Sequence, residues 1–441
     1  GPYSGYLAIT LPVALGILLE QSKRNMPYYL SMGCIGTAIV VLPAGMSRSA
    51  WIAVVVSCAW VYALYRLDRK QAATRLRQHK RWYIIGGILG GILLLGGSAS
   101  LYTLKKDSAD GRFLMWKITT KAIQKQPITG TSLGGFPAAY AETQAEYMAS
   151  GKATEQEKLV AGCPEYAFNE YLQIGLEQGL VGLALFIGWL GLLFYKGIKN
   201  KRYACCGGLM SLAIFAFSSY PLQLPEFWVV LIFLGVMSVT PDKDEIRENQ
   251  AESNGHRWGK QIFFMGIAIL GIGLFWMQKD HYKAYQQWNK AQMYYKNKAY
   301  EAALEVYEPL YPLLKHKPEF LFEVAQCLSK TGRYEKANGY LERAVLLSSD
   351  PMLYYVMAKN EQCLGEYRQA EKHLLHAIDI LPERIYPYYL LMNLYTEPSY
   401  FQPAKLKMAI DSVLTKKPKV ESSAIKEMKE KARSMLNNTS I

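Results

Sequence analysis

Two arginines and two carboxylates, each next to aromatic rings, carry the chemistry this chain has to offer. Arg112 opens Arg112-Phe113-Leu114-Met115-Trp116, and about fifty residues later comes Glu165-Tyr166-Ala167-Phe168-Asn169-Glu170-Tyr171-Leu172-Gln173. Arg48 stands in Ser47-Arg48-Ser49-Ala50-Trp51, almost inside an apolar run, where a charge is costly and usually functional. A guanidinium is permanently cationic and forks onto two phosphate oxygens at once. A carboxylate with a raised pKa suits proton abstraction from a hydroxyl. Tyr3, Tyr6, Trp116 and Tyr166 offer flat faces to a sugar or a lipid chain, and Asn169 and Glu170 offer polar contacts. The set fits an anionic, lipid-linked substrate held at a membrane surface.

A membrane must position these groups. Eight apolar runs occur at about 3–20, 28–43, 50–65, 82–104, 172–195, 203–219, 224–240 and 261–277. Each approaches or exceeds what a hydrocarbon core of ~30 Å requires. The 51% hydrophobic content and the mean hydropathy near zero hide this, because apolar residues crowd before residue 280 and charge after it. The net charge of +14 is equally misleading until located. Residues 66–81 hold seven Lys/Arg, 196–202 hold four and 21–27 hold two, all on one face if the runs alternate. That is the positive-inside pattern, so those loops are read as cytoplasmic, with anionic lipids as sufficient partners and no nucleic acid implied. The loops at 44–49, 105–171 and 220–223, and everything after about 278, then fall on the opposite side. Arg112 and its neighbours read as an interfacial helix ended by Pro127, with a tight glycine-rich loop at 130–136.

Seven cysteines, at 34, 58, 163, 205, 206, 327 and 363, show no paired ligand spacing, so no metal site is expected. Asp242-Lys243-Asp244 resembles a metal-binding Asp-x-Asp pair but sits in a charged cytoplasmic linker, and is set aside. The chain opens inside an apolar element without an initiator Met, which reads as the C-terminal piece of a longer protein.

After residue 290 the period changes. Tyr300-Glu301-Ala302-Ala303, Tyr334-Glu335-Lys336-Ala337 and Tyr367-Arg368-Gln369-Ala370 recur 34 and 33 residues apart, each after a polar turn, with Pro318, Pro351 and Pro382 closing the units. This resembles the tetratricopeptide repeat, whose solenoids bind peptides or proteins on a concave face. The Lys-rich residues 401–441 read as a final helix followed by a disordered end.

Four blocks before residue 240 resemble the O-antigen ligase and polymerase superfamily in order. Gly1-Pro2-Tyr3-Ser4-Gly5-Tyr6-Leu7 is similar to its Asn-Pro-x-x-Tyr/Ala-x-Tyr-Leu segment, and Ser47-Arg48-Ser49-Ala50 to its Ser-Arg-x-Ala motif. Arg112 to Trp116 with Gly130 to Phe136 behind it resembles the Arg-x-x-x-Trp and Gly-x-Gly-x-Phe loop. Asn169-Glu170-Tyr171-Leu172-Gln173 and Glu177-Gln178-Gly179-Leu180-Val181-Gly182 resemble the His-Asn-x-Tyr-Leu-Gln and Glu-x-Gly-x-x-Gly block, except that Phe168 replaces the histidine. The family's base therefore does not carry over, and Glu165 is its nearest substitute, with Glu170 second.

The resemblance implies a metal-independent glycosyltransferase without a cofactor. It would move an oligosaccharide or polysaccharide from undecaprenyl pyrophosphate to an acceptor hydroxyl, on lipid A-core or a protein, at the periplasmic face of a bacterial inner membrane. Arg112, Arg48 and Glu165 are the expected catalytic residues. Tyr3, Tyr6, Trp116, Tyr166, Asn169 and Glu170 are expected to bind substrate. O-antigen polymerase, protein O-oligosaccharyltransferase and a non-catalytic scaffold recruiting partners through its repeats remain open alternatives. The expected fold is all-α: a polytopic membrane protein of about eight spans, followed by a periplasmic helical-hairpin array. Its divisions would be membrane helices at 1–104, a catalytic loop at 105–171, membrane helices at 172–277, repeats at 278–400 and a tail at 401–441.

Overall fold

The computed structural model describes residues 2–21, 24–68, 106–241, 257–418 and 420–438. The apolar run at 82–104, most of the basic loop at 66–81 and the linker with Asp242 and Asp244 lie outside them. The described residues form helices joined by turns and loops, without strands, and group into two units. The first is Gly1–Ser132 with Tyr166–Gly255; the second is Leu133–Glu165 with His256–Ile441.

The first unit is a membrane protein. Pro2–Glu20, Met26–Gly45, Arg48–Leu67 and Gly179–Lys199 are long and apolar enough to cross a bilayer. Tyr203–Ala216 and Pro225–Val239 are apolar but of 14 and 15 residues, about 21–23 Å at 1.5 Å per residue. The run expected at 172–195 is divided: the Glu170–Glu177 helix stops, and a second starts at Gly179. Here backbone, not hydropathy, sets the boundary, because Gly179 has φ +70.

Close packing within this unit relies on small residues. Ala8, Ala50 and Ala53 are fully buried, and Gly16 lies so near Ala204 that a side chain would overlap its backbone. Pro12 sits inside the first helix and cannot donate to the Ala8 carbonyl one turn back. The Ser211 hydroxyl from the Tyr203–Ala216 helix supplies that bond at 2.6 Å. In a membrane, where water cannot fill the gap, such a replacement donor is what makes an internal proline tolerable.

The second unit is the repeat array. The helices at Tyr300–Tyr307, Tyr334–Val345 and Tyr367–Ile380 begin on the three periodic tyrosines. Ala303, Ala337 and Ala370 are fully buried, as close helix pairing demands. The turn before the second and third of these helices holds Gly332 and Gly365 at φ +78; the first uses Lys298 at φ 61. The tail is more ordered than expected. Pro403–Thr415 and Ser423–Asn438 are helices, and Val413 and Ala432 are fully buried in the last cluster.

The loop expected as one piece at 105–171 is shared between the units. Its middle, Leu133–Glu165, belongs with the repeats. The Phe136–Ala149 helix buries Phe136, Tyr140 and Gln144 there. Gln144 Nε2 donates to Gly162 O at 3.0 Å and to Ile380 O at 2.8 Å, while Ser349 Oγ donates to Pro164 O at 3.2 Å. Periodicity exposes a helix's own face but not which distant helix that face meets.

Candidate functional site

Within the first unit, Arg48 is the first residue of its helix. Met46 in the left-handed region and Ser47, whose hydroxyl accepts from Ala50 N at 3.4 Å, turn the chain into it. The partial positive charge of a helix N-terminus therefore adds to the guanidinium instead of offsetting it. Arg112 lies on the Lys106–Lys125 helix and donates through Nη1 to Ser218 O at 2.8 Å. Ser49 Oγ donates to the same carbonyl at 3.4 Å, so the residue after Arg48 and Arg112 itself converge there. Burial and the like charge of Arg48 push the Arg112 pKa down, with Tyr220 opposing. Among the described residues, no carboxylate pairs with either guanidinium.

Aromatic rings gather beside Arg112. The Arg112 guanidinium lies 5.3 Å from the Phe168 ring centre. Tyr220 meets Phe168 edge-on at 4.9 Å and stacks on Tyr166 at 5.4 Å. Phe168 has φ 49, rare for a bulky residue and a form of strain that clusters at functional positions. Trp116 Nε1 donates to Ala167 O at 3.1 Å and so ties the Arg112 helix to the strained segment. Beside the pair, Ser49, Ile52, Tyr171, Phe217 and Ser218 line an open apolar cavity of about 420 Å³.

The segment 166–173 is held by its own polar side chains. Asn169 caps the Glu170–Glu177 helix, its side-chain oxygen accepting from Tyr171 N and Leu172 N, both at 3.1 Å. Gln173 accepts from Ala167 N at 2.8 Å and donates to Glu177 Oε1 at 3.0 Å. The end of that helix is closed by the glycine-rich loop. Thr131 N and Ser132 N donate to Leu176 O and Glu177 O at 2.9 Å, and Leu180 N donates to Pro127 O at 2.8 Å. This docking of backbone on backbone leaves no room for a Cβ at Gly130 or Gly179, both at positive φ. The two glycine motifs thus form one clamp.

Other expected residues stand elsewhere. Tyr6 stacks on Phe227 at 4.3 Å in the helical core, and Tyr3 is 86% exposed. Glu165 belongs to the second unit, exposed on the rim of a cavity of about 800 Å³ that also takes in Phe322, Asp350, Tyr355 and Arg384. Glu170 is buried and bonded to Leu222 N and Gln223 Nε2. Among the described residues, no three metal-ligating side chains converge. The residues missed from sequence are Ser218, read as the end of the apolar run at 203–219, and Tyr220 and Gln223, read only as part of a short outer loop at 220–223. Its signal was the polar break Tyr220-Pro221-Leu222-Gln223-Leu224-Pro225 between two apolar runs.

Residues 33–187 match a family model described as O-Antigen ligase, a span that includes Arg48, Arg112 and the 166–182 segment. Residues 296–377 match one described as Anaphase-promoting complex, cyclosome, subunit 3, over the repeats. No curated protein matches the chain. Among solved structures, "MamA RS-1 ArsTM double mutant" is similar at 20% identity and a TM-score of 0.29, covering 36% of this chain and 97% of that one. "MamA 41-end from Desulfovibrio magneticus RS-1" is similar at 19% identity and a TM-score of 0.29, covering 36% and 98%.

Proposed function

We propose, from the match of residues 33–187 to the O-antigen ligase family model, that the chain transfers a glycan from undecaprenyl pyrophosphate to an acceptor hydroxyl. The reaction takes place at the periplasmic face of a bacterial inner membrane, without a metal. The observation that carries this reading is the pair Arg48 and Arg112, which among the described residues have no carboxylate to neutralise them and lie beside an apolar cavity. Pyrophosphate is the group such a pair suits. The acceptor oxygen attacks the anomeric carbon, the bond from that carbon to the phosphate oxygen breaks, and its electron pair stays on the pyrophosphate. The two guanidiniums stabilise that charge as it develops. The acceptor's proton passes to a general base other than the family's histidine, because Phe168 occupies that position. Tyr166 and Tyr220 provide stacked faces for the sugar.

The acceptor is lipid A-core, a growing chain or a protein, and the repeats dock a protein partner or acceptor. A strain lacking the complete gene, carrying wild type or Arg112→Ala, decides between these. Loss of the long lipopolysaccharide ladder with accumulation of lipid-linked chains supports ligation. Capping by a single repeat unit supports polymerisation, and loss of glycoprotein signal alone supports protein transfer. A second reading, a non-catalytic scaffold, is favoured by Phe168. Unchanged glycan pools with both Arg48→Ala and Arg112→Ala would select it.

A further inference from the structure

Glu170 lies behind the site, with both of its oxygens occupied by one turn. One accepts from Leu222 N at 2.6 Å, the other from Gln223 Nε2 at 2.9 Å, and the residue is 1% exposed. The same turn, residues 217–224, hands the Ser218 carbonyl to Arg112 and the Tyr220 ring to Tyr166 and Phe168. It connects two short apolar helices, and Trp228 Nε1 braces it further at Leu222 O, 2.7 Å away. We infer that Glu170 is a positioning residue whose hydrogen bonds, and not its charge, hold the 217–224 turn that sets Tyr220 and the Ser218 carbonyl beside Arg112. Its consequence for glycan transfer rests on the function proposed above.

The surroundings favour hydrogen bonding over charge. A buried carboxylate facing the backbone N–H groups of Leu222 and Gln223 and a neutral amide, with no cation among its partners, is expensive. Burial, with Glu177 adding to it, pushes the Glu170 pKa up to about 7 against the pull of the Gln223 and Leu222 bonds. Glu177 and Tyr171 are the titratable groups that act on it electrostatically. A neutral glutamine at 170 reproduces the arrangement. Its oxygen accepts from Leu222 N and its NH2 donates to Gln223 once that amide turns over. Alanine provides neither bond. A residue acting as a base or as a charge on substrate would show the opposite pattern.

The test uses the full chain in lipid nanodiscs with Ser219→Cys added in the turn. Its labelling by a membrane-impermeant maleimide is read against the same chain without that substitution, alongside glycan transfer. Glu170→Ala and Gln223→Ala are expected to speed labelling and slow transfer by about tenfold each, as loss of one hydrogen-bonded network implies. The double variant is no worse than Glu170→Ala, because both remove one latch. Glu170→Gln stays within about twofold of wild type on both readouts. A Glu170→Gln protein as defective as Glu170→Ala overturns the inference, as does a Glu170→Ala protein that labels and transfers like wild type. If wild type itself transfers no glycan, the proposed function falls, while the labelling still decides the latch. If Glu170→Ala fails to fold, Gln223→Ala, altered at a half-buried position, carries the test.

Discussion

Replacing Arg112 by alanine separates transition-state binding from folding. In the resting protein the guanidinium gives one bond to Ser218 O at 2.8 Å and lies 5.3 Å from the Phe168 ring centre. A hydrogen bond from a charged donor contributes about 1.5–3 kcal/mol, and an aromatic contact at a part-exposed site about 0.5–1 kcal/mol. Against these stand the burial of the charge and its repulsion by Arg48, both of which the substitution relieves. The fold should therefore lose only about 1 kcal/mol, a drop in melting midpoint of about 2–4 °C. Catalysis has no such compensation. Losing one preorganised group that stabilises the leaving charge costs about 2.7–4 kcal/mol, or about 10²–10³ in rate. Arg112→Lys keeps the charge without the fork and should fall between, near a tenfold loss. The assay is transfer from undecaprenyl-pyrophosphate-linked glycan by purified full-length chains, with thermal melting of the same samples. Arg112→Ala transfer within about threefold of wild type would refute the role, since the energy at stake would be under about 0.7 kcal/mol. So would a midpoint drop of more than about 10 °C that accounts for the lost activity, which would make Arg112 a folding residue.

Three further outcomes follow from the geometry. Gly179→Ala forces a left-handed alanine into the Ile128 carbonyl and opens the loop clamp; a loss of about 3 kcal/mol or more is expected in thermal melting, from strain plus broken bonds. Asn169→Ala removes the acceptor for Tyr171 N and Leu172 N, costing about 0.5–2 kcal/mol as other lost caps do, and should slow transfer because the cap precedes Glu170. Gln144→Leu leaves the carbonyls of Gly162 and Ile380 without their buried donor. That costs about 1–3 kcal/mol and should make the Leu133–Glu165 segment the first site of tryptic cleavage on warming.

Local pattern wrote much of this protein into its sequence. Helical period and small residues announced the repeats, and Tyr300, Tyr334 and Tyr367 each open a helix whose following alanine is fully buried. Apolar length announced the spans, because burial in hydrocarbon demands about 20 apolar residues in a row. The family-like motifs singled out Arg48 and Arg112 before any contact was known. Tertiary structure decided what those residues meet. Arg112 finds its acceptor 106 positions away in a turn with no motif of its own, and Glu170 finds Gln223 53 positions away. It also assigned Leu133–Glu165 to the repeats and split the run at 172–195 where Gly130 and Gly179 dock. A helix repeats its preference every turn, so the sequence shows it many times over. A contact between distant segments is stated once, by the shapes and hydrogen-bonding groups that meet, and only the folded chain brings them together.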